Sequence, residues 1–147
     1  MPKIMKSMNI VSRCQSAYRS ERIKGDICGC HHPFVLAICH KPGMSQEEIS
    51  RELCLNKSTV TRAINQLLER GYVERKANPD DKRSFLIFPT DRMLEILPLV
   101  RSVTTEWNEL ISEGVPKDEL EIFISVLNKM KDSARKIVEK CGGVEEK

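Results

Sequence analysis

The chain has 147 residues, 40% of them apolar and 31% charged, with 24 basic against 21 acidic side chains for a net charge of +3. That balance suits one compact domain, or a small domain joined to a dimerisation element, and excludes a disordered chain. No run approaches the ~18 consecutive apolar residues of a membrane helix. The opening MPKIMKSMNIVSR lacks the apolar core and cleavage site of a secretory signal, so the cytoplasm is the expected location, with no membrane partner.

The distribution of charge says more than its sum. Residues 1–41 carry +5, 42–55 carry −2, 56–83 carry +3 and 84–147 carry −3. Positive charge therefore collects in an N-terminal arm and in a central segment, an arrangement that favours a polyanionic partner.

In chain order, Ile4, Met8, Val11, Tyr18 and Ile23 fall near helical spacing and predict a first helix over roughly Lys3 to Lys24. Gly25-Asp26 and Cys28-Gly29-Cys30 interrupt it. A second helix is expected to start near His32-Pro33, where proline suits the first turn, and to stop at Pro42-Gly43. Ser45 and Glu48 form a capping box that starts a third helix, with Ile49 and Leu53 inward and Leu55 closing the turn. Asn56 is a good N-cap and Gly71 a good terminator for a fourth. Tyr72–Lys76 and Phe85–Phe88 are rich in strand formers around the turn Asn78-Pro79-Asp80-Asp81, predicting a two-stranded hairpin. Thr90 and Asp91 are expected to cap a fifth helix reaching about Glu113, kinked or broken at Pro98. Gly114 ends it. Pro116 opens a sixth, with Leu120, Phe123, Ile124, Leu127, Met130 and Ile137 at helical spacing, and the terminal VEEK is expected to fray.

The fourth helix has the properties of a reading helix. Val60, Ile64, Leu67 and Leu68 form its buried stripe, while Ser58, Arg62, Asn65 and Glu69 face the opposite way, flanked by Lys57, Thr59, Thr61 and Gln66. Arg62 has the fork for a guanine edge, and Lys57, Ser58 and Thr59 occupy a first turn suited to phosphate. On the hairpin, Arg75 lies on the incoming strand and Lys82 and Arg83 lie at the tip, suited to a minor groove, with Asp81 expected to orient Arg83 by a charge-assisted contact.

The STV-R run at Ser58–Arg62, LLERGYVER at Leu67–Arg75 and NPDDKRSFLIFPT at Asn78–Thr90 resemble the MarR-type winged helix regulators. The resemblance implies a mainly α fold with a small β-hairpin wing: a winged helix-turn-helix flanked by N- and C-terminal dimerisation helices. Its expected divisions are 1–31 for the first helix and linker, 32–90 for the DNA-binding lobe and 91–147 for the C-terminal helices. It also implies a homodimer on a pseudo-palindromic double-stranded DNA operator, a repressor more often than not, modulated by a small-molecule effector. Two features depart from the family pattern. Asp91-Arg92-Met93 replaces a glycine that usually follows Thr90, and Cys54 stands where glycine is frequent, which predicts strain if the turn needs a positive φ.

Six cysteines (14, 28, 30, 39, 54 and 141) fall mostly in helix-like segments, and the expectation is reduced thiols packed as small hydrophobes. Cys14 and Tyr18 resemble the reactive cysteine and nearby tyrosine of the family's organic-peroxide sensors. Phe34 offers no hydroxyl where a further tyrosine is expected, so redox sensing stands as the alternative reading. Cys28, Cys30, His31 and His32 are metal-ligand types, but their spacing is not C-x2-C and no histidine follows His40. A polar linker is expected there, with no metal and no cofactor. No catalytic fingerprint is present, so no enzyme activity is expected. The remaining rival is a winged helix whose outward face meets a protein.

Overall fold

The computed structural model describes residues 3–141; the terminal VEEK lies outside them. Helix α1 (Ile4–Arg22) buries none of its residues, and the N-terminal segment enters the core only beyond it, through Ile23 and Ile27. A 3-10 turn at Gly29–His31 leads into α2 (His32–His40), which carries Pro33 in its first turn and buries Phe34, Val35 and Ile38. Two residues, Met44–Ser45, form β1, and α3 (Gln46–Leu53) follows. The capping box is present: Glu48 N donates to Ser45 Oγ at 3.2 Å and Ser45 N donates to Glu48 Oε2 at 3.1 Å.

Helix α4 (Lys57–Glu69) starts at Asn56, whose Oδ1 accepts from Thr59 N at 2.8 Å, and is terminated by Gly71 at φ +75°. Strands β2 (Val73–Ala77) and β3 (Phe85–Pro89) make the hairpin, with Val73 opposite Pro89 and Ala77 opposite Phe85. The sheet nevertheless has three strands in the order β1-β3-β2, because Met44 pairs with Ile87 and Ser45 with Leu86. The expected two-stranded hairpin is present, and β1 adds a third strand to its β3 edge. Gly43 makes the extra pairing possible: at φ +89° its N–H donates to Ile87 O at 2.9 Å, and a Cβ would lie 3.1 Å from the Phe88 ring.

Helices α5 (Asp91–Ser112) and α6 (Lys117–Lys140) complete the chain. Helix α5 runs through Pro98 without the expected break. Pro98 and Leu94, whose carbonyl loses its helical partner, are both exposed, where water can take the missing bond. Thr90 occupies the N-cap position but makes no cap; its hydroxyl donates to Gly71 O at 2.6 Å and closes the sheet against the end of α4. The core is one cluster centred on Phe34, Ile38, Ile49, Ile64, Leu67 and Ile87, extended onto α5 by Met93, Val100 and Val103.

Helix α6 stands apart from that core. None of its residues is buried, and Ile122, Phe123, Ile124 and Val126 are all exposed. Its polar ties to the body are Arg135 guanidinium bonds to the carbonyls of Arg51 (3.2 Å) and Glu52 (3.0 Å). This exposure also corrects the expectation of packed thiols. Cys14 on α1, Cys54 and Cys141 are exposed, Cys39 is half-buried, and Cys28 and Cys30 are joined in a disulfide. Helices α1 and α6 bury no residue within one chain, so Cys14 on the first and Cys141 at the end of the second have no core to enter.

Cys54 ends α3 at φ 51° and ψ 45°, the left-handed conformation. A Cβ-bearing residue is strained there by about 1–2 kcal/mol, offset in a glycine by its larger unfolded-state entropy. Cys54→Gly is therefore expected to raise stability by up to about 1 kcal/mol. A urea midpoint at or below that of the parent would show that the turn carries no strain.

Candidate nucleic-acid interface

Side chains from α3, α4 and the hairpin line one open groove: Gln46 from α3, Thr61 and Asn65 from α4, and Arg75, Asp81 and Arg83 from the hairpin. The helical period explains the α4 lining: burying Val60, Ala63, Ile64 and Leu67 turns Lys57, Ser58, Thr61, Arg62 and Asn65 outward, and all five are exposed. Thr59 is half-buried.

The groove is braced by hydrogen bonds that the sequence does not announce. Arg75 Nη2 donates to Asn65 Oδ1 at 2.7 Å, tying β2 to α4, and its guanidinium lies 5.8 Å from the Phe85 ring centre. Thr61 Oγ1 donates to Gln46 Oε1 at 3.2 Å, and Ser58 Oγ to Asn56 Oδ1 at 3.1 Å. Among the described residues, the Arg62 side chain makes no hydrogen bond or ion pair. The candidate residues therefore divide in two: Asn65 and Arg75 hold each other, Thr61 is held by Gln46 and Ser58 by Asn56, while the Arg62, Lys57, Lys82 and Arg83 side chains extend into solvent.

At the hairpin tip Asp81 contacts Arg83 through the backbone, within a turn. Asp81 Oδ1 accepts from the Arg83 backbone N–H at 2.9 Å, and Asn78 Oδ1 accepts from Asp80 N at 3.0 Å. A carboxylate two residues before the N–H forms the shorter ring and wins over the flexible guanidinium. Asp81 shapes the tip and leaves the Arg83 side chain free. Asn78 Nδ2 adds a bond to Ser84 Oγ at 3.0 Å, closing the loop.

A second bracing point carries no local mark in the sequence. Asp26, in the linker after α1, accepts from Tyr72 OH at 2.7 Å and from Arg92 Nη2 at 2.9 Å, and Arg70 bonds to its carbonyl. Arg92 also lies 4.3 Å from the Tyr72 ring centre. The Tyr72 bond first, then Arg92, holds the Asp26 carboxyl below its usual range. Arg92, at the departure from the family pattern, thus locks the foot of α5 to the end of α4. Its partners are twenty or more residues away, and no local motif marks them.

Cys14 and Tyr18 are not brought together by any described bond. Tyr18 OH donates to Glu106 on α5, its ring lies 5.3 Å from Trp107, and Arg22 also pairs with Glu106 at 2.7 Å. Burial, then the Glu106 bond, pushes the Tyr18 hydroxyl upward. Tyr18 is a strut between α1 and α5.

A helix pair carrying an outward polar face, followed by a three-stranded antiparallel wing, defines a winged helix-turn-helix protein. The MarR family model matches residues 34–85, the stretch from α2 to the second wing strand. A MarR transcriptional regulator from Methanosarcina mazei superposes with a TM-score of 0.85 at 27% identity, covering 91% of this chain and 97% of its own. The regulator BilQ of Clostridioides difficile is 27% identical over 99 residues, 67% of each chain. A MarR regulator from Listeria monocytogenes complexed with a 26mer DNA shares the fold with a TM-score of 0.82 at 22% identity over 100% of both chains. Residues 34–85 thus form a MarR-type winged helix-turn-helix domain, and the chain is similar along most of its length to MarR transcriptional regulators.

Proposed function

We propose that this regulator binds a pseudo-palindromic operator as a homodimer, as a repressor in the cytoplasm, and leaves it when a small-molecule effector binds. The observation that carries the reading is Arg62, exposed and unpaired among the described residues at the centre of a braced, outward face. A side chain held out by a rigid helix, with its own donors unused, is suited to a guanine edge in the major groove. Lys57, Ser58 and Thr59 would meet phosphate, and Lys82 and Arg83 would reach the adjacent minor groove. The Listeria relative is complexed with a 26mer DNA, which supports double-stranded DNA as the partner. Asn65 and Arg75 would act chiefly by positioning, since each already engages the other.

The unpartnered apolar face of α6 supports dimerisation, because a helix this exposed gains its stability from a second surface. A crevice of about 540 Å³ between α3 and α6, lined by Lys41, Arg51, Cys54 and Arg135, supports effector control. Occupying it would move α6 relative to the lobe. Among the described residues no helix is long and apolar enough to cross a membrane.

Selection of bound fragments from the source genome at physiological salt would supply the operator. On it, Arg62→Ala is expected to lose about 1–3 kcal/mol of binding and little on random DNA, whereas Lys82→Ala weakens both alike. Equal losses on both DNAs for Arg62→Ala would mean that it reads no base. Retention that ignores salt, or none at all, would instead favour a protein partner for the outward face.

A further inference from the structure

One cluster of donor side chains has no part in the groove. Cys28, Cys30 and His31 bring two sulfurs and an imidazole nitrogen within 4.8 Å of one another, the only such group of three or more His, Cys, Asp or Glu among the described residues. We propose that these three residues, with the cysteines reduced, bind a thiophilic divalent cation of the zinc type.

The backbone builds the site. The turn at Gly29–His31 folds back so that His31 N donates to Cys28 O at 3.0 Å, while Cys28 N donates to His31 Nδ1 at 3.3 Å. Cys28 Sγ lies 3.5 Å from the same Nδ1. Gly29 lets this turn sit flush on α1, because a Cβ there would meet Ser16 O and Ser20 Oγ at 3.1 Å.

The imidazole is also oriented as a ligand. Because Nδ1 accepts the Cys28 N–H, the proton sits on Nε2, which donates to Gln66 Oε1 at 2.8 Å. The Nδ1 lone pair is thus the one free of a proton, 3.5 Å from Cys28 Sγ, and a cation would take it in exchange for the long Cys28 N–H bond. Metal-bound histidines are held in this way, with the far N–H given to a carbonyl oxygen. His31 is buried while both cysteines are exposed, so the three donors form a base from which a cation can take a fourth ligand from solvent. Two thiolates and an imidazole select zinc-like ions over magnesium or calcium.

Cys28 and Cys30 are joined in the described state, so binding follows reduction. An external dithiol supplies two electrons and two protons, becoming a disulfide itself, and leaves two thiols. The cation then displaces one proton from each thiol, and the pair binds as thiolates.

The test uses the full chain, reduced with a phosphine under anaerobic conditions and titrated with zinc against a chromogenic chelator. One equivalent per chain is expected. It should vanish in Cys28→Ser/Cys30→Ser and in the oxidised protein, and persist when Cys14, Cys39, Cys54 and Cys141 are all replaced by serine. Gln66→Leu should keep the stoichiometry and weaken affinity about 10–100-fold, as loss of an orienting partner does. No stoichiometric zinc, or zinc retained without Cys28 and Cys30, would overturn the site. Unchanged affinity in Gln66→Leu would overturn the assignment of the imidazole proton.

Discussion

Replacing Phe123 and Ile124 by aspartate is expected to make the protein monomeric and to weaken operator binding by about 10²–10⁴-fold. Phe123 is 58% and Ile124 49% exposed within one chain, in the stretch that also exposes Ile122 and Val126. Burying such a face against a second copy gains roughly 25 cal/mol per Å², and two carboxylates placed in the contact would forfeit that and leave charge in an apolar seam. The fold of the lobe should survive, because α6 contributes nothing to the core. Operator affinity should not, since two linked reading helices bind far more tightly than either alone. Sedimentation and a gel-shift titration give both readouts. A variant that stays dimeric would place the interface elsewhere, and a monomer with full operator affinity would end the case for a symmetric reader.

The second large effect concerns acid. His32 is fully buried at the start of α2, and neither ring nitrogen has a hydrogen-bond partner. Burial, then the Arg19 guanidinium, then His31 lower its pKa to about 4 from an ordinary value of 6.5. The folded protein therefore keeps His32 neutral in a range where the unfolded chain takes up a proton. The stability is fully present above pH 6.5 and is lost as pH falls toward 4. Each pKa unit is worth about 1.4 kcal/mol, so the loss between pH 7 and 4.5 should reach about 2–3 kcal/mol. Urea unfolding with a chelator present would measure it, and His32→Leu should flatten the profile. A parent profile that is already flat across this window would contradict the account.

Local chemistry made much of the fold legible. Ser45 with Glu48, Asn56 and Gly71 each act within a few residues, so their roles in bounding α3 and α4 are visible in the string itself. The outward face of α4 follows from the helical period in the same way. What escaped reading depends on partners far along the chain. Strand β1 is two residues long and exists only because Ile87 and Leu86 lie beside it. The Asn65–Arg75 bond, the Asp26 junction with Tyr72 and Arg92, and the His31–Gln66 bond each join elements that no spacing rule connects. Asp81 does meet Arg83, but through the backbone N–H; which of Arg83's donors a carboxylate two residues earlier takes is a matter of turn geometry that the string does not show.

The Asp26 junction has a consequence for the spacing of DNA half-sites. Helix α5 has 22 residues and so is about 33 Å long, and its foot is the point where Arg92 meets Asp26 and the end of α4. It is a lever clamped at one end. A tilt of about 5° at the clamp would carry the far end roughly 3 Å, close to the rise of one base pair. If the far ends of two such levers meet in a dimer, the distance between reading helices is set by four side chains, Asp26, Arg70, Tyr72 and Arg92, remote from the reading face of α4.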